Sequence, residues 1–335
     1  MLPFELEHNA VHGLPVGMAY DGTKPFFDWQ NEAREKLSAL LGMDRFVRCA
    51  DEMRIERESR TDTFTEIRFT FQSEPGYRVP CHLLVPHEIR RRGVMICLQG
   101  HSRGMHLSLG RAVYDGDAPK IDDGDRDFAV QCVQRGLCAV TLEQRCFGEN
   151  GGAPEPRCYE TAMTALLGGR TLLGGRVWDI SRLIDVLRAH FAARCDPSRI
   201  WCMGNSGGGT ATFYAAALDV RIDAAMPSCA FCTFADSIGA LHHCACNYVP
   251  HIREYFDMAE LAAMTAPRPM VIVSGRTDGI FPLGGAQSEF ARLQACYAAA
   301  DAADRCVHVI GSAGHRFYAD DAWPVFFKMI GDESL

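Results

Sequence analysis

Gly204-Asn205-Ser206-Gly207-Gly208 fits the pattern G-x-S-x-G, in which a serine stands on a sharp turn between a strand and a helix. The flanks of the segment agree with that pattern. Residues 200–203 form a short apolar run of strand formers, and residues 210–218 are typical of a buried helix. The glycines suit a turn at which the strand and helix backbones nearly touch. The sequence therefore predicts strand, turn and helix, with Ser206 presented as a nucleophile.

The bulk properties predict one large α/β domain with additions, because the chain has 335 residues and an ordinary globular composition. A net charge of −8 argues against a nucleic acid or an anionic membrane as partner. The N-terminus shows no secretory signal pattern, and the 15 cysteines are scattered, many of them inside apolar runs. Free thiols of this kind favour a reducing compartment, so we expect a cytoplasmic protein of unknown oligomeric state.

Apolar runs of strand length alternate with helical patterns after about residue 60. This alternation predicts a mostly parallel sheet with helices on both faces. The eight predicted strands are residues 66–72, 78–85, 94–99, 138–143, 200–203, 224–229, 270–274 and 307–311. The first two are expected to form an antiparallel hairpin at the sheet edge. The predicted helices are residues 125–135, 171–193, 207–218, 284–299 and 322–330.

The chain is predicted to divide into a mainly helical extension, residues 1–60, and a catalytic domain, residues 61–335. Two insertions, near 101–124 and 229–264, leave the carboxyl edge of the sheet and are candidates for the substrate pocket or a lid. The helix at 171–193 carries apolar residues at spacings of three and four, with Asp179 and Arg182 on its other side.

A serine nucleophile needs a base that accepts its proton and a third group that orients the base. Asp278 follows the strand at 270–274 and would emerge at the same sheet edge as Ser206, although Asp-Gly is also common in surface turns. Of the two histidines after Asp278, His308 lies inside a strand, whereas His315 follows the last strand in a glycine-rich loop. Ser206, Asp278 and His315 are therefore the predicted catalytic residues.

Negative charge that develops on the substrate requires backbone donors, an arrangement called the oxyanion hole. The amide of Gly207 is one predicted donor, and the amide of His101, in the loop after the third predicted strand, is the other. Arg145 and Glu149, after the fourth predicted strand, either brace that loop or form a surface ion pair.

With these residues in place, the chain resembles the α/β-hydrolase superfamily, in its acetyl xylan esterase, dienelactone hydrolase and prolyl-oligopeptidase-like branch. The resemblance spans about residue 65 to the C-terminus. The residues that carry it are Gln99-Gly100-His101, Gly204 to Thr210, Gly275-Arg276-Thr277-Asp278 and Gly314-His315. It implies an α/β-hydrolase fold with Ser206 as nucleophile, Asp278 as acid and His315 as base. Dienelactone hydrolases usually have a cysteine nucleophile, and the arginine-glycine-glutamine motif of the sugar deacetylases is absent, since Cys146 and Phe147 follow Arg145.

The resemblance implies a serine esterase that cleaves carboxylic esters, such as acetylated sugars or other small esters, without a cofactor or metal. A peptidase or amidase of the same branch is the first alternative, although those enzymes usually carry a large N-terminal domain. A hydrolase fold that binds without turnover is the second. A C-x-x-C at Cys229 and Cys232, followed by His242, His243, Cys244 and Cys246, also fits a zinc site, but we expect buried thiols in a lid, with His242 or His243 near the pocket.

Overall fold

The computed structural model describes residues 1–101, 104–152 and 157–332. The strands within these ranges are β1 Arg54–Arg60, β2 Phe64–Glu74, β3 Tyr77–Pro86, β4 Arg91–Leu98, β5 Leu137–Leu142, β6 Ile200–Asn205, β7 Ile222–Ser228, β8 Met270–Gly275 and β9 Cys306–Gly311. The helices are α1 Pro3–Gly13, α2 Phe26–Leu41, α3 Asp117–Asp122, α4 Phe128–Gln134, α5 Cys158–Leu167, α6 Leu172–His190, α7 Gly207–Leu218, α8 Ile252–Tyr255, α9 Met258–Ala263, α10 Leu283–Ala299 and α11 Ala319–Met329.

All of these strands join one sheet, in the order β1-β2-β3-β5-β4-β6-β7-β8-β9. The pairs β1–β2, β2–β3 and β3–β5 are antiparallel. The remaining pairs, from β5–β4 across the sheet to β8–β9, are parallel. The carboxyl ends of β4, β6, β8 and β9 therefore lie at one edge of the sheet. The loops that carry His101, Ser206, Asp278 and His315 all leave from that edge.

Apolar side chains cover both faces of the sheet. Along β4, Val94, Ile96 and Leu98 belong to a core with α2, α6, α7, α9 and α10, whereas Met95 and Cys97 belong to a core with α4 and α11. This alternation follows from the two-residue period of a strand, and the near-continuous apolar sequence of β4 reflects burial on both faces. Among the described helices, none combines the length and apolar character that a membrane crossing requires.

The predicted α/β architecture is confirmed, with β2 to β9 corresponding to the eight predicted strands. Two details were wrong. Residues 54–60, placed in the mainly helical extension, form β1, and β1 pairs with β2, so the β2–β3 hairpin is not at the edge of the sheet. β1 has the sequence RIERESR and is largely exposed, so it lacks the apolar alternation that marks a strand. Charged side chains are typical of edge strands because they discourage further pairing. The division of the chain at residue 60 stays a prediction.

Part of the charged side of α6 lies in the interior: Asp179 and Arg182 are buried, whereas Arg188 is exposed. Asp179 is fully buried and accepts two hydrogen bonds of 2.8 Å from Arg145 and one of 2.5 Å from the Ser73 hydroxyl. Arg145 also pairs with Glu74 at 2.8 Å. Helical periodicity shows that Asp179 and Arg182 share a side of α6. It does not show that Asp179 is buried, because its partners Arg145 and Ser73 come from segments distant in sequence.

We expect Asp179→Asn to lower the free energy of unfolding by about 3 kcal/mol, because it removes one charge of a buried ion pair. Urea denaturation measures the loss. Glu58→Gln is the control, since Glu58 pairs with Arg194 at 3.0 Å on the surface, where both side chains are at least 40 % exposed, and such pairs contribute under about 1 kcal/mol. Equal losses in the two variants would contradict this account.

Candidate active site

Ser206 stands on a strained turn between β6 and α7. Its backbone angles are φ 58° and ψ −127°, which a residue with a side chain rarely adopts. Such strain costs on the order of 1–3 kcal/mol and persists only where the surrounding structure imposes it. The Ser206 N–H donates a 2.8 Å hydrogen bond to the carbonyl oxygen of Ser228, at the end of the neighbouring β7. The predicted strand–turn–helix geometry around Ser206 is thus present.

The glycines of the turn allow the strand and the helix to approach closely. A Cβ atom on Gly204 would lie 2.5 Å from the backbone of Gly208. A Cβ atom on Gly208 would lie 2.2 Å from the carbonyl oxygen of Leu98, at the end of β4. Any larger residue would therefore push the turn away from the loop that follows β4.

Asp278 and His315 form a hydrogen-bonded pair. The imidazole Nδ1 of His315 lies 2.8 Å from Oδ2 of Asp278, while Oδ1 accepts hydrogen bonds from the amides of Ile280 at 2.8 Å and Phe281 at 3.1 Å. Burial opposes the charge on Asp278, but the bonds from His315 and from the two amides hold its pKa below the ordinary value. The ionised carboxylate only accepts hydrogen bonds, so Nδ1 carries the proton and Nε2 has a free lone pair.

Ser206 lines a cavity, and His315 lies behind one wall of it, against Phe281. Phe281 lines this cavity together with Ser206, and its ring stacks on that of His315, with centroids 6.0 Å apart. Within the described residues, no hydrogen bond joins the Ser206 hydroxyl to His315. In unliganded enzymes such bonds are often long and shorten when substrate binds. The structure thus brings the His315–Asp278 pair together and places Ser206 in the adjoining cavity.

The loop after β4 passes directly over the turn that carries Ser206. A Cβ atom on Gly100 would lie 2.8 Å from Cβ of Ser206, and one on Gly207 would lie 2.8 Å from the His101 ring. Gly207 is the first residue of α7, so its N–H has no acceptor within the helix. The amides of Gly207 and His101 stay the predicted oxyanion donors. Ser102 and Arg103, in the same loop and in the insertion near 101–124, lie outside the described residues.

Glu143 braces this loop, a role that the sequence analysis did not assign. Its carboxyl group accepts hydrogen bonds from the amides of Met105 at 3.1 Å and Glu149 at 3.3 Å. The side-chain amide of Gln144 donates a 2.5 Å bond to the carbonyl oxygen of Gln99 in the same loop. The two residues follow β5 directly, which is the signal in the sequence, but their burial cannot be recognised from the chain alone.

Arg145 and Glu149 each form an ion pair away from the loop after β4. Arg145 pairs with the buried Asp179, and Glu149 pairs with Arg68 through two hydrogen bonds of 2.8 and 2.7 Å. Among the described residues, neither side chain bonds to the other or to the loop after β4. These side chains therefore do not brace the loop. The surface-pair alternative holds for Glu149, whose ion pair with Arg68 is partly exposed, whereas the ion pair of Arg145 with Asp179 is buried.

Burial raises the pKa of Glu143 to about 8, so the folded state holds a proton that the unfolded chain releases near the ordinary value of 4.5. The unfolding free energy should therefore fall as pH rises from about 4.5 to about 8. We expect Glu143→Gln, which cannot ionise, to lack this component. Urea denaturation across that range tests this, and identical pH slopes for the two proteins would refute it.

The cavity at Ser206 has a volume of about 720 Å³ and largely apolar walls. The apolar side chains are Tyr159, Met163 and Leu166 of α5, with Leu241, Ile280 and Phe281; the polar ones include His242, His243, Asn247 and Tyr248. Among the described residues, no lysine, arginine, aspartate or glutamate lines it. Residues 241–248 lie in the insertion predicted near 229–264, whereas α5 was not predicted.

The cysteines of that insertion separate into two places. The Cys229 thiol donates to the carbonyl oxygen of Arg316 at 3.2 Å and the Cys232 thiol to that of Pro282 at 3.4 Å. The C-x-x-C pair therefore does not join the later residues, as the zinc alternative would require. Cys244 and Cys246 instead lie beside His101.

No protein-family model matches the chain. "Putative hydrolase YtaP" of Bacillus subtilis (strain 168) is 25% identical over 291 residues, which cover 85% of this chain and 93% of the relative. A structure described as a "putative acetyl xylan esterase" from Bacteroides fragilis NCTC 9343 superposes with a TM-score of 0.76 at 14% identity, covering 98% of this chain and 89% of the other. A glucuronoyl esterase from Solibacter usitatus gives 0.68 at 13% identity, covering 97% and 100%. These likenesses and the sheet topology show that the chain has the α/β-hydrolase fold.

Proposed function

We propose that the chain is a serine hydrolase that cleaves carboxylic esters through an acyl-enzyme. One observation supports this most strongly: the hydrogen-bonded pair of Asp278 and His315 lies at the same sheet edge as the strained Ser206. The two bonds to backbone amides fix the carboxylate, and the carboxylate fixes the imidazole tautomer. A histidine so oriented is suited to accept a serine proton.

The proposed reaction has two stages. Ser206 Oγ attacks the acyl carbon while Nε2 of His315 takes its proton, and the amides of Gly207 and His101 stabilise the oxyanion. His315 then protonates the leaving alcohol, which departs and leaves the acyl group on Ser206. A water molecule, deprotonated by His315, releases the acid. Asp278 stabilises the imidazolium in both stages.

The described lining of the cavity has no lysine, arginine, aspartate or glutamate, which supports small neutral esters as substrates, including acylated sugars. Two of the structurally similar proteins are named as an acetyl xylan esterase and a glucuronoyl esterase, and both names refer to esters of sugars. The apolar wall of the cavity offers contact for an acyl group or for the face of a sugar ring. The net charge of −8 supports the absence of a nucleic-acid partner. We also place the protein in the cytoplasm, an assignment supported by 15 unpaired cysteines.

An ester panel tests the proposal, with acetyl, butyryl, hexanoyl and hemisuccinyl p-nitrophenyl esters, an acetylated xylose and an aminoacyl p-nitroanilide. We expect kcat/KM for the hemisuccinyl ester to fall at least about tenfold below that for the butyryl ester, because its carboxylate finds no lysine or arginine among the described residues that line the cavity. Faster cleavage of the anilide than of the esters would favour the peptidase or amidase alternative. Absence of turnover on every compound would favour the binding protein.

A further inference from the structure

A thiol cluster made of His101, Cys158, Cys244 and Cys246 lies in the wall of the cavity. Nε2 of His101 is 2.9 Å from Sγ of Cys246, and the ligand atoms of His101, Cys244 and Cys246 lie within 4.8 Å of one another. Cys158 adjoins this group through Arg176, whose guanidinium donates to Sγ of both Cys246 and Cys158. Three separate segments thus converge: the loop after β4, the start of α5 and the insertion before α8.

Arg176 supplies a second, independent observation. Its guanidinium is 1 % exposed and, within the described residues, has no carboxylate partner. It donates to the carbonyl oxygen of Arg145 at 3.2 and 3.0 Å, to Sγ of Cys246 at 3.2 Å and to Sγ of Cys158 at 3.6 Å, and it lies over the Phe147 ring at 4.2 Å. A buried cation requires compensating negative charge. In this environment, thiolate sulfurs of the cluster are the groups that can provide it.

We propose that the thiol cluster binds a thiolate-preferring metal ion of the Zn²⁺ class, with Nε2 of His101 and Sγ of Cys158, Cys244 and Cys246 as ligands. Imidazole and thiolates are the donors that such an ion prefers. In a tetrahedral site with metal–ligand distances of about 2.0–2.3 Å, the ligand atoms are about 3.5–3.8 Å apart. The ligand atoms of His101, Cys244 and Cys246 already lie within 4.8 Å of one another, so these three need only small side-chain shifts, and Cys158 completes the set from the start of α5. Each thiol releases its proton to water as it binds the ion.

The charges of this site balance. Three thiolates and a dication sum to one negative charge, and the positive Arg176 lies against two of the three sulfurs. Hydrogen-bond donors to ligand sulfurs are common around bound metals. The ion has a route to the site, because His101, Cys158 and Cys244 line the open cavity.

The ion would tie the loop that carries the His101 amide to the wall of the substrate cavity. The Nδ1 and Cε1 atoms of the His101 ring face Gly207, so metal binding at Nε2 would also fix that ring beside the nucleophile turn. The site does not depend on the proposed ester hydrolysis, because its occupancy is measured without any substrate.

The experiment uses the full chain, without a polyhistidine tag and purified under reducing conditions. Elemental mass spectrometry is expected to find near-stoichiometric zinc. Exchange with Co²⁺ should give an intense sulfur-to-cobalt charge-transfer band and visible bands typical of a tetrahedral ion. Cys244→Ser and Cys246→Ser should lose most of the metal and of the charge-transfer band. Cys232→Ser, a buried thiol of the same insertion outside the cluster, should keep both.

A measurement on the wild-type chain removes any dependence on how the variants fold. Alkylation of Cys244, followed by peptide mass spectrometry, should slow at least about tenfold in the zinc-loaded protein relative to the chelated protein. Substoichiometric metal that reconstitution does not increase, the absence of a cobalt–thiolate band, or a cluster cysteine isolated in a disulfide would each overturn the proposal.

Discussion

Ser206→Ala is expected to lower kcat for p-nitrophenyl acetate by about 10⁴-fold or more, because alanine offers no nucleophilic oxygen. The fold should persist, since alanine retains the Cβ atom and meets the same backbone strain at φ 58°. Initial rates, with p-nitrophenolate release as the readout, measure the loss. Far-ultraviolet circular dichroism and urea denaturation confirm that the variant is folded.

Ser312→Ala is the matched control for this result. Ser312 is exposed and lies in the loop that carries His315, but its side chain faces water. We expect that variant to keep wild-type rates within about twofold, as for surface substitutions in general. A Ser206→Ala protein with activity within about tenfold of wild type would remove Ser206 as the nucleophile.

Asp278→Asn has the second largest expected effect, a fall in kcat of about 10³- to 10⁴-fold with a much smaller change in KM. The retained oxygen can still accept from the amides of Ile280 and Phe281, so the loop should keep its shape. The new amide group, however, donates toward Nδ1 of His315. The imidazole must then carry its proton on Nε2, where it cannot accept the proton of Ser206.

Stability gives a second readout for Asp278. Because its pKa is lowered on folding, the carboxylate stabilises the native state above the ordinary value of 3.8, and this contribution disappears as the pH falls through the lower, folded-state pKa. The stability difference between wild type and Asp278→Asn should shrink over that acidic range. Asp304→Asn, at an exposed position, is the control for the loss of one charge. Unchanged kcat in Asp278→Asn would contradict its proposed role.

The sequence allowed prediction of the parts of the fold and site that depend on local pattern and chain order. The strand, turn and helix around Ser206 are local, and the positions of Asp278 and His315 directly after apolar strands place both at one sheet edge. β1 escaped prediction because a charged edge strand has no apolar alternation.

Features that depend on contacts between distant segments could not be predicted. The side chain that braces the oxyanion loop is Glu143, whereas the chain alone suggested Arg145 and Glu149. Nothing local distinguishes these three charged residues, since their roles depend on partners in other segments. The same limit applies to Cys244 and Cys246, whose neighbour His101 lies more than 140 positions earlier in the chain.

Labelling by a fluorophosphonate ester tests the central claim most directly, because it reports on the nucleophile and its base together. After incubation and peptide mass spectrometry, the wild-type chain should carry one phosphonyl adduct, on Ser206, formed at a rate that His315→Ala reduces at least about a hundredfold. Ser206→Ala should show no adduct. An adduct on another residue, or labelling of Ser206 that is equally fast without His315, would contradict the account.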